Sequence, residues 1–198
     1  MADTWAITPA VDDDMFRAAA SIAGAGAVTL LTNTVAPNGC GYKIVITSSG
    51  NESARSFVIT GVKVGDVNGR LTSETVTGPN ATTASSVNFY TYLSSITISA
   101  ASVGNVKFGT IGSLALPRCR VKGIWCVAAA SAGSVKINAD TSSGTLLLQM
   151  DVPAVASAAD AFYFDVGDLL VANGASSVGA QCAVVTLTQV TLATLICG

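Results

Sequence analysis

The stretch Phe57–Asn80, FVITGVKVGDVNGRLTSETVTGPN, decides how the rest of the chain is read. Phe57, Ile59 and Gly61 alternate with Val58, Thr60 and Val62, the period-two pattern of a strand with one buried face. A second run, Arg70–Thr77, follows an Asn68-Gly69 pair, and such a pair supplies the positive φ values that tight hairpin turns require. Leu71 and Val76 carry the apolar signal of that run, and Glu74 is expected to face solvent. Gly78-Pro79-Asn80 then stops it. A strand–turn–strand unit is therefore expected at the centre of an all-β domain.

The composition agrees with that reading. The 198 residues are 50% apolar but only 6% aromatic and 11% charged. Many β-branched and small residues with few charges suit strands and short turns better than amphipathic helices. Mean hydropathy is +0.56, yet Ser, Thr, Gly or Asp interrupts every apolar segment before it could cross a bilayer as a helix. Short strands and few aromatics also argue against an outer-membrane barrel. A net charge of −2 with scattered Lys and Arg argues against a nucleic-acid partner, which needs clustered cations. Arg118, Arg120 and Lys122 would share one strand face, most simply a solvated one. The first residues, MADTWAITPAVDDDMF, lack the basic start and apolar core of a signal peptide, so a product made in the cytoplasm is expected.

Outward from the central stretch, turn signals recur about every ten residues. Residues 1–23 read as an arm: Trp5 and Ile7 are apolar anchors, and Asp12 is positioned to cap a short helix through Met15, Phe16, Ala18, Ala19 and Ile22. Trp5, Ile7 and Phe16 are candidate contacts for a partner subunit, the alternative being an arm packed on its own domain. Residues 24–113 carry strands at Val28–Val35, Tyr42–Thr47, the central hairpin, Val87–Tyr92, Leu93–Ser99 and Val106–Ile111. Residues 114–198 carry another set. There Val121, Gly123, Trp125 and Val127 lie opposite Ile124 and Cys126, and Leu146, Leu148, Met150 and Val152 alternate with Leu147, Gln149 and Asp151. The predicted fold is all-β: two small antiparallel β-sandwich (jelly-roll-like) modules behind a short N-terminal arm.

Little in the sequence supports chemistry. Without histidine, Ser-His-Asp and Cys-His pairs are excluded, and no alternative nucleophile motif is present. Asp140, Asp151, Asp160, Asp165 and Asp168 fall in the second half but match no calcium loop, and exposed strand faces and turns account for them equally well. Asn51-Glu52-Ser53 and Asn80-Ala81-Thr82 match a glycosylation pattern and are read instead as turn chemistry. The cysteines Cys40, Cys119, Cys126, Cys182 and Cys197 form no Cys-x-x-Cys pair. Buried thiols are the default, and oxidation to disulfides after release is the alternative. No metal site, catalytic residue or cofactor is expected.

Several segments, taken in order, resemble a module of small structural proteins of tailed bacteriophages: Ile46-Thr47-Ser48, Gly50-Asn51, Phe57-Val58-Ile59-Thr60-Gly61 and Glu74-Thr75-Val76-Thr77-Gly78-Pro79-Asn80. Tyr92-Leu93-Ser94-Ser95-Ile96-Thr97-Ile98-Ser99 and Gly104-Asn105-Val106-Lys107-Phe108-Gly109 extend the likeness. The second half is similar to another such module, through Val121-Lys122-Gly123-Ile124, Gly133-Ser134-Val135, Gly144-Thr145-Leu146-Leu147-Leu148, Asp151-Val152-Pro153 and Gly167-Asp168-Leu169-Leu170-Val171-Ala172-Asn173-Gly174. The resemblance implies a non-enzymatic virion protein in head decoration, neck or tail. Its partners would be the major capsid protein or other virion proteins, and it would form a homo-oligomer, a trimer among the expected forms. Such proteins usually end in a strand with aromatics, whereas this chain ends Leu195-Ile196-Cys197-Gly198. A glycan-binding module that recognises a host surface would need aromatic platforms, for which Trp125, Tyr90, Tyr92 and Tyr163 are available.

Overall fold

The computed structural model describes residues 3–7, 12–31, 41–66, 68–116, 119–139, 145–154, 161–171, 183–188 and 190–197. Among them the regular structure is all β-strand, paired antiparallel throughout the registers that follow. The chain divides into two compact units. Val11–Ile111 forms one, and Gly112–Gly198 together with Met1–Ala10 forms the other.

In the Val11–Ile111 unit the strands are β2 (Arg17–Ala20), β3 (Gly26–Ala27), β4 (Gly41–Ser48), β5 (Ser56–Lys63), β6 (Leu71–Thr77), β7 (Thr83–Ile98) and the first part of β8 (Val106–Leu116). Their order is β8-β4-β7-β5-β6, with β2 on β8 and β3 on β7. The central hairpin is present: β5 and β6 pair from Ser56↔Thr77 to Val62↔Leu71. Its connection is longer than a two-residue turn. Residues 64–70 join the strands; Gly65 and Gly69 take the positive φ values, 81° and 64°, and Asn68 does not. An Asx turn, in which Asn68 N donates to Asp66 Oδ1 at 2.9 Å, replaces the expected tight turn.

The two runs at Val87–Tyr92 and Leu93–Ser99 are one strand of 16 residues. A chain can continue through a Ser-rich segment when both edges find partners. β4 takes the first half of β7, from Thr83↔Thr47 to Tyr90↔Tyr42, and β5 takes the second, from Tyr90↔Lys63 to Ile98↔Phe57. Phe57, Ile59, Ile96 and Ile98 from this pairing join Ile44, Ile46, Leu93, Val106 and Phe108 in one buried cluster. The Phe57 and Phe108 rings meet edge-to-face, with centroids 5.8 Å apart, the arrangement their quadrupoles favour. Gly61 lies where a Cβ would overlap the Tyr92 carbonyl and stand 2.8 Å from the Tyr90 ring, so the strand requires glycine there.

The short helix expected from Asp12 does not form. Asp12–Phe16 is turn and bend, and Arg17–Ala20 is strand β2. A helix this short is marginal even with three alanines. Pairing with β8 and burial of Phe16 outweigh that propensity. Phe16 N donates to Phe108 O at 2.9 Å, and the Phe16 side chain is 2% exposed within the core. Phe16 is thus a core residue, which corrects its assignment as a partner contact.

The second unit contains β1 (Asp3–Ile7), β9 (Cys119–Ala128), β10 (Gly133–Ala139), β11 (Leu146–Val152), β12 (Ala161–Val171), β13 (Ala183–Thr188) and β14 (Val190–Cys197). One group has the order β1-β14-β9-β12. In the other, β11, β10 and β13 pair in sequence, and β13 pairs with residues 113–116 of β8. Trp5 and Ile7 stand in β1, where Trp5↔Leu195 and Ile7↔Ala193 tie the N-terminal backbone to β14. Val121, Ile124, Cys126, Val135, Ile137, Met150 and Val152 are buried.

Val121 departs from the predicted alternation. Gly123 opposes Ile196, and Val121 opposes the next residue, Cys197, leaving Lys122 as the extra residue of a bulge. One extra residue reverses the facing beyond it. Val121 therefore turns inward with Ile124 and Cys126, while Lys122 is exposed.

Candidate interaction surfaces

Two carboxylates, Glu52 and Glu74, are engaged by the chain itself. Glu52 is 0% exposed. Its Oε1 accepts from Ser48 Oγ at 3.1 Å, Val103 N at 2.9 Å and Gly104 N at 2.8 Å, and Arg55 Nε lies 3.3 Å from Oε2. Around it three turns close on one another. Glu52 N donates to Pro79 O, Ala81 N to Gly50 O and Ser49 N to Asn105 O. Asn51 Oδ1 accepts from Ser53 N at 3.0 Å, so Asn51-Glu52-Ser53 does serve turn chemistry. A Cβ on Gly78 would overlap the Glu52 carbonyl, and one on Gly104 would overlap the Gly50 backbone. The Gly50-Asn51, Gly78-Pro79-Asn80 and Gly104-Asn105 segments thus meet at a single latch.

Glu74, expected in solvent, is half-buried because its register partner Ile59 faces the core. Its carboxylate accepts from Val87 N at 2.7 Å, Asn88 N at 3.0 Å, Asn88 Nδ2 and Tyr90 Oη at 3.2 Å. Burial, then the Glu74 charge and hydrogen bond, pushes the Tyr90 hydroxyl well above its usual range. A buried, hydrogen-bonded Tyr90 cannot act as an aromatic platform.

The opposite face of the same sheet is exposed to a different degree and has a different chemistry. Opposed residues across β6, β5 and β7 form the rows Leu71–Val62–Tyr92, Ser73–Thr60–Ser95 and Thr75–Val58–Thr97, with Thr77–Ser56 beyond. Residues paired this way point to the same side. No charged side chain stands in these rows. Leu71 and Tyr92 are exposed large apolar groups at one end, and Thr60 Oγ1 and Ser73 Oγ share a 2.8 Å hydrogen bond across the strands.

In the second unit, Trp125 and Tyr163 are register partners on β9 and β12. They are 46% and 53% exposed. Cys126, also on β9, is a buried free thiol whose pKa burial raises. Cys119 and Cys197 lie in β9 and β14, while Cys40 and Cys182 lie outside the described residues. Among the acidic residues, Asp151 and Asp165 are exposed, Asp151 accepts from Gln149 Nε2 at 2.7 Å, Asp168 is in β12, and Asp140 and Asp160 lie outside the described residues. Among the described residues no group of three or more His, Cys, Asp or Glu is placed to hold a metal ion. No described helix is long and apolar enough to cross a membrane.

The class defined by these observations is an all-β antiparallel protein with a neutral sheet face in one unit and an exposed aromatic pair in the other. Comparison with protein-family models, with characterised proteins and with solved structures finds no match.

Proposed function

We propose that the chain is a non-enzymatic structural protein of a tailed-bacteriophage virion, a capsid decoration or cement protein that binds neighbouring virion subunits. The ordered resemblance of its turn-and-strand segments supports this reading. The observation that carries it is the uncharged face of β5, β6 and β7. Ser and Thr hydroxyls both donate and accept, and without charges the face can meet another subunit at no cost of burying an unpaired ion. Strand spacings make it about 20 Å by 14 Å. That is well short of the roughly 800 Å² per partner of a standard interface, so each contact is weak and a repeating lattice supplies the avidity. The major capsid protein and further copies of the chain are the partners this implies, in a virion assembled in the host cytoplasm. The same chemistry would serve a neck or tail position, and the two-sandwich architecture expected from the strand count belongs to the same proposal.

Thr60→Lys combined with Thr75→Lys places two cations in the middle of this face. Incorporation of the double variant into particles, in competition with the wild-type chain, is expected to fall at least about tenfold, with thermal unfolding little changed. Equal incorporation would remove this face from the interface.

A further inference from the structure

We infer that Trp125 and Tyr163 form a stacking platform for the sugar rings of a neutral hexose polymer. The inference is independent of the assembly reading and concerns the other unit. Trp125 projects outward because its neighbours Ile124 and Cys126 on β9 are fully buried. Tyr163, directly opposite on β12, projects the same way. Its ring leans across the strand pair onto Gly123. A Cβ at Gly123 would overlap the Tyr163 hydroxyl and stand 2.8 Å from ring carbons Cε2 and Cζ. Gly123 is buried although its position faces outward, because the ring covers it. The absent side chain therefore lets Tyr163 lie against the sheet with half of its surface open, on the strand directly opposite Trp125.

One end of the platform is polar. Asp165 is the register partner of Gly123, and it shares the outward side of β12 with Tyr163 two residues earlier. It is exposed, so a carboxylate and a phenol stand at the same end. A pyranose ring matches this pattern. Its axial C–H groups make an apolar face that packs on a π surface, and its equatorial hydroxyls reach acceptors at the edge. The size also selects against a stable dimer through this pair. Two half-exposed aromatic rings offer roughly 200 Å², far below the ~800 Å² per side of a stable dimer but comparable with one or two sugar rings. A pair of half-exposed rings on a strand face suits an internal segment of a polymer, which can lie across it.

The test is calorimetric titration of the full chain with cellohexaose, maltohexaose and chitin hexaose. Saturable binding of at least one is expected, with Kd of about 1 mM or tighter. Trp125→Ala and Tyr163→Ala should each weaken it at least about tenfold with thermal unfolding unchanged, and Trp125→Tyr should restore most of it. Absence of saturable binding to all three up to about 10 mM would overturn the inference. So would binding that survives both alanine substitutions. Concentration-dependent self-association that Trp125→Ala abolishes, without sugar binding, would assign the pair to a second copy and overturn it equally.

Discussion

Glu52→Ala is expected to lower the stability of the Val11–Ile111 unit by about 3–5 kcal/mol, the range for removing one partner from a buried charged network. The substitution removes the acceptor of Ser48 Oγ, Val103 N and Gly104 N together. Each orphaned group that cannot reach water costs about 1–3 kcal/mol, and Arg55 Nε keeps only Ala101 O, at 2.9 Å. The surrounding glycines hold the turns too closely for compensating movement to be small. For a unit of about one hundred residues the loss corresponds to a fall in Tm of at least roughly 12 °C. Glu52→Gln retains one oxygen acceptor and is expected to lose less. Thermal and denaturant unfolding of both variants measures this. A loss below about 1 kcal/mol for the alanine variant would mean that the carboxylate is not the centre of the latch.

Phe57→Ala is expected to cost about 3–5 kcal/mol, the usual range for emptying a phenylalanine site in a packed core. Phe57 is fully buried between Val76 on β6 and Ile98 on β7, its register partners. Its ring also supplies one half of the edge-to-face contact with Phe108. Phe57→Leu keeps most of the volume and should lose markedly less, which separates packing from a general intolerance of substitution at this strand. Urea unfolding would show the difference as a shift in midpoint at unchanged slope. Equal losses for leucine and alanine would contradict the packing account.

The elements legible in the sequence were those governed by short-range pattern. Phe57, Ile59 and Gly61 are buried while Val58, Thr60 and Val62 are partly exposed, as period-two alternation requires. The all-β antiparallel class followed from the same signal repeated along the chain. What escaped depends on distant partners. Nothing near Glu52 announces that Val103 and Gly104, some fifty residues on, will donate to it. Glu74 reads as solvent-facing because it stands beside threonines, although its spacing from Val76 puts it on the inward side. The alanines after Phe16 favour helix locally, and only the free edge of β8 makes them a strand.

The aromatic pair was half legible. Trp125 and Tyr163 were visible as candidates, but their pairing depends on the register of β9 with β12. That register runs unbroken from Ala161↔Val127 to Asp165↔Gly123 and shifts only beyond, between Asp165 and Leu169. Tyr90 shows the converse: an aromatic in a polar stretch, Asn88-Phe89-Tyr90-Thr91, proves buried because Glu74 and Gly61 close over it.

Mass spectrometry of separated heads and tails, from purified particles of a phage found to encode this chain, tests the proposed decoration role most directly. The decoration reading predicts the chain in the heads, at a fixed ratio to the major capsid protein, and its depletion from tails. Recovery with tails alone would contradict decoration, and absence from both fractions would contradict a virion role.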